Sequence, residues 1–144
     1  CCVAVRPHAI YHYVWLGVCI VISSLDHLVL TVKNIDITVQ FYTEILGMKK
    51  EVFSDGRVAL TFGVQKINLH AQGKEFEPKA FSPTPGSADI CFITNLPIQV
   101  AFDTILSNGI DVIEGIVTRT GAIGPIRSIY FRDPDGNLIE LSSY

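Results

Sequence analysis

Four side chains in this chain are of types that could act on one substrate together: His27, His70, Asp89 and Glu140. His27 stands in the run LDHLVLTV and His70 in INLHA, 43 residues later; Asp89 stands in SADICFIT and Glu140 in NLIEL, 51 residues later. Two neutral imidazoles with one or two carboxylates suit a divalent first-row metal such as Zn, Ni, Co, Mn or Fe, leaving coordination positions for water or substrate. Glu140 is the most informative of the four. A carboxylate among apolar strand residues needs a cation or a hydrogen-bonding partner, because burying an unpaired charge is costly. Taken singly, each of the four is an ordinary strand residue; their joint placement at matching ends of two similar halves is what points to a metal.

The elements that must position them are legible from periodicity. LDHLVLTV alternates, with Leu28, Leu30 and Val32 on one face and His27, Val29 and Thr31 on the other, which predicts a strand. Asn34 then caps a helix whose apolar side is Ile35, Val39, Tyr42 and Leu46 and which ends at Gly47. Extended runs follow at MKKEVF, VALTF and INLHA, so this half reads β-α-β-β-β. After a Pro-rich connector the order returns: SADICFIT, a helix opened by Asn95 and Pro97 and closed by Asn108-Gly109, then DVIEGIV, RSIYF and NLIEL. The last two strands join across Asp133-Pro134-Asp135-Gly136, residue types that favour a tight turn. The expected fold is α+β, with two pseudo-symmetric βαβββ modules, about 24–72 and 87–144, joined by a connector at 73–86. Their curved mixed sheets are expected to face each other across a cleft within the chain. Aligning first strands sets His27 opposite Asp89, and aligning last strands sets His70 opposite Glu140.

A chain of 144 residues with 49% hydrophobic and 17% charged residues makes one ordinary domain with enough apolar side chains for a core. The net charge of -3 argues against a nucleic-acid partner, which would require a basic face. Cys1, Cys2 and Cys19 precede the domain and Cys91 stands alone within it, so a reducing, cytoplasmic setting is expected. Cys91 falls in an apolar run and is expected to be a small core residue. YVWLGVCIVI, Tyr13 to Ile22, is apolar but too short to span a bilayer, which takes about 20 residues, so no membrane partner is expected. Residues 1–23 are set outside the fold, as a targeting segment or an artefact of the chain's start.

LDHLVLTVKNIDITVQFYTEILGM together with SIYFRDPDGNLIEL resembles the vicinal oxygen chelate superfamily, which includes glyoxalase I, methylmalonyl-CoA epimerase, extradiol dioxygenases, fosfomycin resistance enzymes and bleomycin-binding proteins. The runs KINLHAQGKEFEPKA and RTGAIGPIRSIYFRDPDGNLIEL are similar to the glyoxalase domain-containing protein 5 group within it. The resemblance implies a metal held by the positions that are His27, His70, Asp89 and Glu140 here, with aspartate where glyoxalase I and the epimerase have histidine. It also implies arginines gripping glutathione, but those places hold Thr31 and Pro85, so a different thiol adduct or a non-thiol substrate is expected.

The leading expectation is a lyase or isomerase for a small substrate with adjacent oxygens, working through a metal-stabilised enediolate. Glu140 would be both ligand and general base. Arg119 and Arg127, with Lys74 and Lys79, are candidates for holding an anionic group; Tyr130 and Phe62, with Val29 and Phe92, are candidates for the apolar wall. TRTGAIGP, Thr118 to Pro125, reads equally as a mobile lid or a plain hairpin loop. The alternatives are an Fe(II) extradiol-type dioxygenase and a metal-free binding protein of the bleomycin type. A monomer or a homodimer fits either.

Overall fold

A computed structural model describes residues 21–144; the N-terminal segment as far as residue 20 lies outside the described residues. The element order is β1 (His27–Val32), α1 (Ile35–Glu44), β2 (Lys49–Phe53), β3 (Arg57–Phe62), β4 (Gln65–Ala71), β5 (Asp89–Ile93), α2 (Ile98–Ser107), β6 (Glu114–Thr120), β7 (Pro125–Arg132) and β8 (Leu138–Ser143). The strands form two four-stranded mixed sheets ordered β1-β4-β3-β2 and β5-β8-β7-β6, the two βαβββ modules that the periodicity predicts. In each, the first strand runs parallel to the last and the remaining pairs are antiparallel. The expected elements are present with shifted ends: α1 stops at Glu44, short of Gly47, β4 and β7 begin two residues before INLHA and RSIYF, and β6 begins at Glu114 and continues to Thr120, with an irregularity in register between Glu114 and Val117. Among the described residues no helix is long and apolar enough to cross a membrane.

Local chemistry explains where the elements start and stop. Asn34 has an extended backbone and its side-chain oxygen accepts from the Ile37 N–H at 3.0 Å, satisfying a donor that the first turn of α1 leaves free. Such a cap contributes about 1 kcal/mol. Helix α2 has no side-chain cap; Pro97 stands there instead, with φ fixed at -53°. The β2–β3 hairpin turns through Ser54, Asp55 and Gly56, all at positive φ.

Alternation divides each sheet into a helix-facing side and an open side. Leu30, Val32, Leu60, Ile67 and Leu69 in the first module, with Ile129, Phe131 and Ile139 in the second, face the helices and are nearly inaccessible. With Tyr42 of α1 and Ile105 of α2 they form one core that crosses both modules. The modules meet through these helix-facing sides. Phe41 of α1 packs on Phe131 of β7 with ring centres 6.5 Å apart, and Phe62 of β3 meets Phe92 of β5 edge-on at 5.4 Å. The Tyr42 hydroxyl donates to Asp133 at 3.0 Å, and the Lys33 N–H donates to Asp135 at 3.1 Å. The two curved mixed sheets of the expected α+β fold are therefore joined within the chain by their helix-facing sides. Aromatic contacts between the helix-facing sides set the docking.

Candidate functional site

On the first sheet, register pairs His27 with Lys66, Val29 with Asn68 and Thr31 with His70, so these six residues share the open face. His27 is exposed, and its Nδ1 lies 2.7 Å from the Asp26 carboxylate, which fixes the ring and leaves Nε2 without a partner among the described residues. A carboxylate behind an imidazole is the arrangement that orients histidine for a metal. His70 sits four residues further along the same face, roughly 13 Å at about 3.3 Å per residue. It is buried beneath the connector, edge-on to Phe76 at 5.4 Å. Burial, with help from the nearby Arg57 guanidinium, holds its pKa below the ordinary imidazole value.

Register also corrects the alignment of His70 with Glu140. Glu140 pairs with Cys91, two residues after Asp89. The equivalent partner in the first sheet is the residue opposite Val29, two after His27, and that residue is Asn68. Asn68 carries a further mark: its Oδ1 is buried with no hydrogen-bond partner. Buried polar atoms are nearly always satisfied, so an orphaned carbonyl oxygen on this face marks a lone pair that the protein itself leaves unused. The strand alternation of INLHA put Asn68 and His70 on the same side; only the stagger between β1 and β4 distinguishes them.

On the second sheet, Asp89, Cys91, Glu140, Ser128 and Tyr130 share the open face. Glu140 Oε1 accepts from the hydroxyls of Ser128 at 2.6 Å and Ser142 at 3.2 Å, and those two serines are 2.8 Å apart and buried. Burial pushes the Glu140 carboxyl pKa up, but the hydroxyls of Ser128, Tyr130 and Ser142 and the Cys91 thiol outweigh it, so it lies below the usual carboxylate value. The strand tolerates the charge because neighbouring donors bind one of its oxygens; Oε2 has no partner among the described residues. Cys91 is not the core residue that its apolar surroundings suggested. It is exposed, 3.4 Å from the Ser142 hydroxyl, with burial the main cause raising its thiol pKa. Asp89 is exposed at the start of β5.

The other sequence candidates divide. Arg119 lies over the Tyr130 ring, 5.5 Å from its centre, and pairs with Glu114 at 2.7 Å, so both border the Glu140 face. Arg127 pairs in register with Ser143 and so faces the opposite side of β7 from Ser128 and Tyr130. Phe62 belongs to the helix-facing side and lines a groove between the modules, which removes it from the Glu140 face. TRTGAIGP is a hairpin: Thr118–Thr120 belong to β6, the tip closes with a 2.8 Å bond from the Gly121 N–H to the Gly124 carbonyl, and the Ile123 N–H reaches the Tyr144 hydroxyl at 3.3 Å.

Within one chain these side chains fall into two groups. His27 and Asn68 lie on one open face, and Asp89 and Glu140 on the other; among the described residues no three His, Cys, Asp or Glu side chains cluster as a metal site would require.

The chain is similar to several known proteins. The chain is 60% identical to virulence protein STM3117 of Salmonella typhimurium over 124 residues, 86% of each protein. The crystal structure of that protein matches with a TM-score of 0.86, covering 87% of this chain and 99% of that one. It is 59% identical over 123 residues to glyoxalase domain-containing protein RDO1 of Mycosarcoma maydis, covering 85% of this chain and 69% of that protein. It is 30% identical over 128 residues to metallothiol transferase FosB of Shouchella clausii, covering 83% of this chain and 80% of that protein. The family model that matches, over residues 24–141, places the chain in the Glyoxalase/Bleomycin resistance protein/Dioxygenase superfamily, to which it belongs.

Proposed function

We propose that the chain is a metal-dependent enzyme of the glyoxalase type, acting on a small molecule with adjacent oxygens, and that two copies complete its site. The observation that carries this reading is the set of unengaged donors: the orphaned Asn68 Oδ1, the His27 ring braced by Asp26, and Glu140 with one oxygen anchored and the other unpartnered. In kind these donors fit a divalent first-row cation, with Asp89 as a further carboxylate. A two-fold dimer that lays the second sheet's open face on the partner's first sheet would bring them together, twice over. FosB, whose name is metallothiol transferase, supports metal chemistry with a thiol adduct among the substrates.

A bound cation would supply a Lewis acid that stabilises negative charge on the substrate oxygens. Glu140, held ionised by its hydroxyl partners, accepts the proton from the carbon beside them; leaving Ser128 and Ser142 raises its basicity as it does so. Tyr130 and Arg119 border the same face and orient the substrate. The competing reading is a metal-free binding protein. It has one observation in its favour, since Glu140 is already satisfied by hydroxyls.

The test needs no substrate. His27→Ala and Glu140→Gln, each purified alone, should bind no divalent ion. Co-expressed under different tags and isolated as the mixed dimer, they should regain one intact site, about one ion for every two chains against two in the wild type. A mixed dimer without metal would sink the shared site; a wild-type protein without metal affinity would favour the binder.

A further inference from the structure

The connector between the modules folds over the end of the first sheet's open face and roofs a cavity of about 320 Å³. Val29, Thr31 and His70 form its floor, and Lys79, Thr84 and Ser87 are among the connector residues around it. His70 is 8% exposed, and neither ring nitrogen has a hydrogen-bond partner among the described residues. The ring thus keeps hydrogen-bonding capacity that the protein itself does not use. Phe76 holds the ring edge-on, and Arg57 is stacked on Phe76, 4.3 Å from its centre, so the imidazole is held in place where it lines the cavity.

The charges around the cavity decide what can enter. Lys79 is paired with Glu77 at 3.2 Å and Glu75 at 3.8 Å, and Glu75 also accepts from the Gly73 N–H at 2.8 Å. Two cations, Arg57 and Lys79, stand against two carboxylates, Glu75 and Glu77. Lys79, the cation that lines the cavity, is already paired with both carboxylates, and Arg57 is engaged on the Phe76 ring outside the lining. A carboxylate or phosphate would therefore lose its hydration there without meeting an unpaired cation. An imidazole offers one donor and one acceptor, which match an uncharged group that both gives and takes a hydrogen bond, as an amide or a hydroxyl does.

We propose that this cavity is a binding subsite for the uncharged, amide- or hydroxyl-bearing arm of a small molecule, and that His70 is the residue that recognises it. The subsite does not depend on the metal reading, and its test is run in chelator so that the two can fail separately. Benzamide and benzoate are near-isosteric, one neutral and one anionic, and either is small enough for the space. With the protein labelled at histidine nitrogens, benzamide should shift the His70 ring signals saturably, and benzoate should bind at least about tenfold more weakly. His70→Phe should lose benzamide binding by at least about tenfold, whereas His70→Gln, which keeps a donor and an acceptor, should stay within about threefold of the wild type. Benzoate binding as tightly as benzamide, His70 signals that neither probe moves, or a phenylalanine variant of undiminished affinity would each overturn the assignment.

Discussion

Replacing Ser128 by alanine probes how the second sheet holds its carboxylate. The substitution deletes the 2.6 Å bond from the Ser128 hydroxyl to Glu140 Oε1 and also removes the 2.8 Å neighbour of the Ser142 hydroxyl. Hydrogen bonds to charged groups contribute about 1.5–3 kcal/mol, and Ser128 is fully buried, so the upper part of that range, about 2–3 kcal/mol, is expected at pH 7. In a cycle with Glu140→Gln the two changes should couple by about 1–2 kcal/mol, since both act on the same bond. The pH dependence follows from the direction of the Glu140 shift. Its folded-state pKa lies below the unfolded value, so its contribution is complete above the unfolded pKa, about 4.3, and fades as pH falls through the folded one. Urea unfolding of the four proteins at pH 7, and at steps toward pH 3, should show the Ser128→Ala loss shrinking as Glu140 protonates. An equal loss at every pH, or coupling below about 0.3 kcal/mol, would show that the serine does not hold the carboxylate ionised.

Asn68→Leu removes a buried oxygen that has no partner, so in chelator the variant should be as stable as the wild type or more so, by up to about 2 kcal/mol, while calorimetry shows metal affinity lower by at least about tenfold. Tyr42→Phe deletes the 3.0 Å bond to Asp133, which keeps its bonds from Asn137 and Asp135; chemical denaturation should show a loss of about 1–2 kcal/mol. Gly86 has a φ of +78°, and a Cβ there would stand 2.5 Å from the Asp135 carbonyl oxygen, so Gly86→Ala should cost about 2–4 kcal/mol in thermal unfolding.

Most of the fold was readable because alternation and capping are local. Leu28, Leu30 and Val32 against His27, Val29 and Thr31 gave the first strand and both its faces, and Asn34 marked the start of α1, which ends at Glu44, three residues before Gly47. The candidate side chains could be named from the sequence, but which of them share a register position could not. His70 and Asn68 look alike to a period of two; the stagger of a parallel pair, set by a crossover of more than 30 residues, is what aligns Asn68 with Val29. The apolar run around Cys91 concealed its face, although Ile90 and Phe92 on the helix-facing side imply that Cys91 lies opposite. Phe62 and Phe92 are candidates for a cleft wall, with core packing the stronger default for an aromatic. Their edge-on contact, which helps to decide how the modules dock, joins residues 30 positions apart that no short-range pattern relates.

The turn from Asp133 to Gly136 looks like a detail of one hairpin, yet its two aspartates accept donors from the other module, the Tyr42 hydroxyl and the Lys33 N–H. The last folded turn of the chain is thus a structural member of its first helix. Neither module can detach without breaking those bonds and exposing the shared core, so heating should melt both in one calorimetric transition. A truncation that spares every residue of the first module but removes this turn would still loosen it.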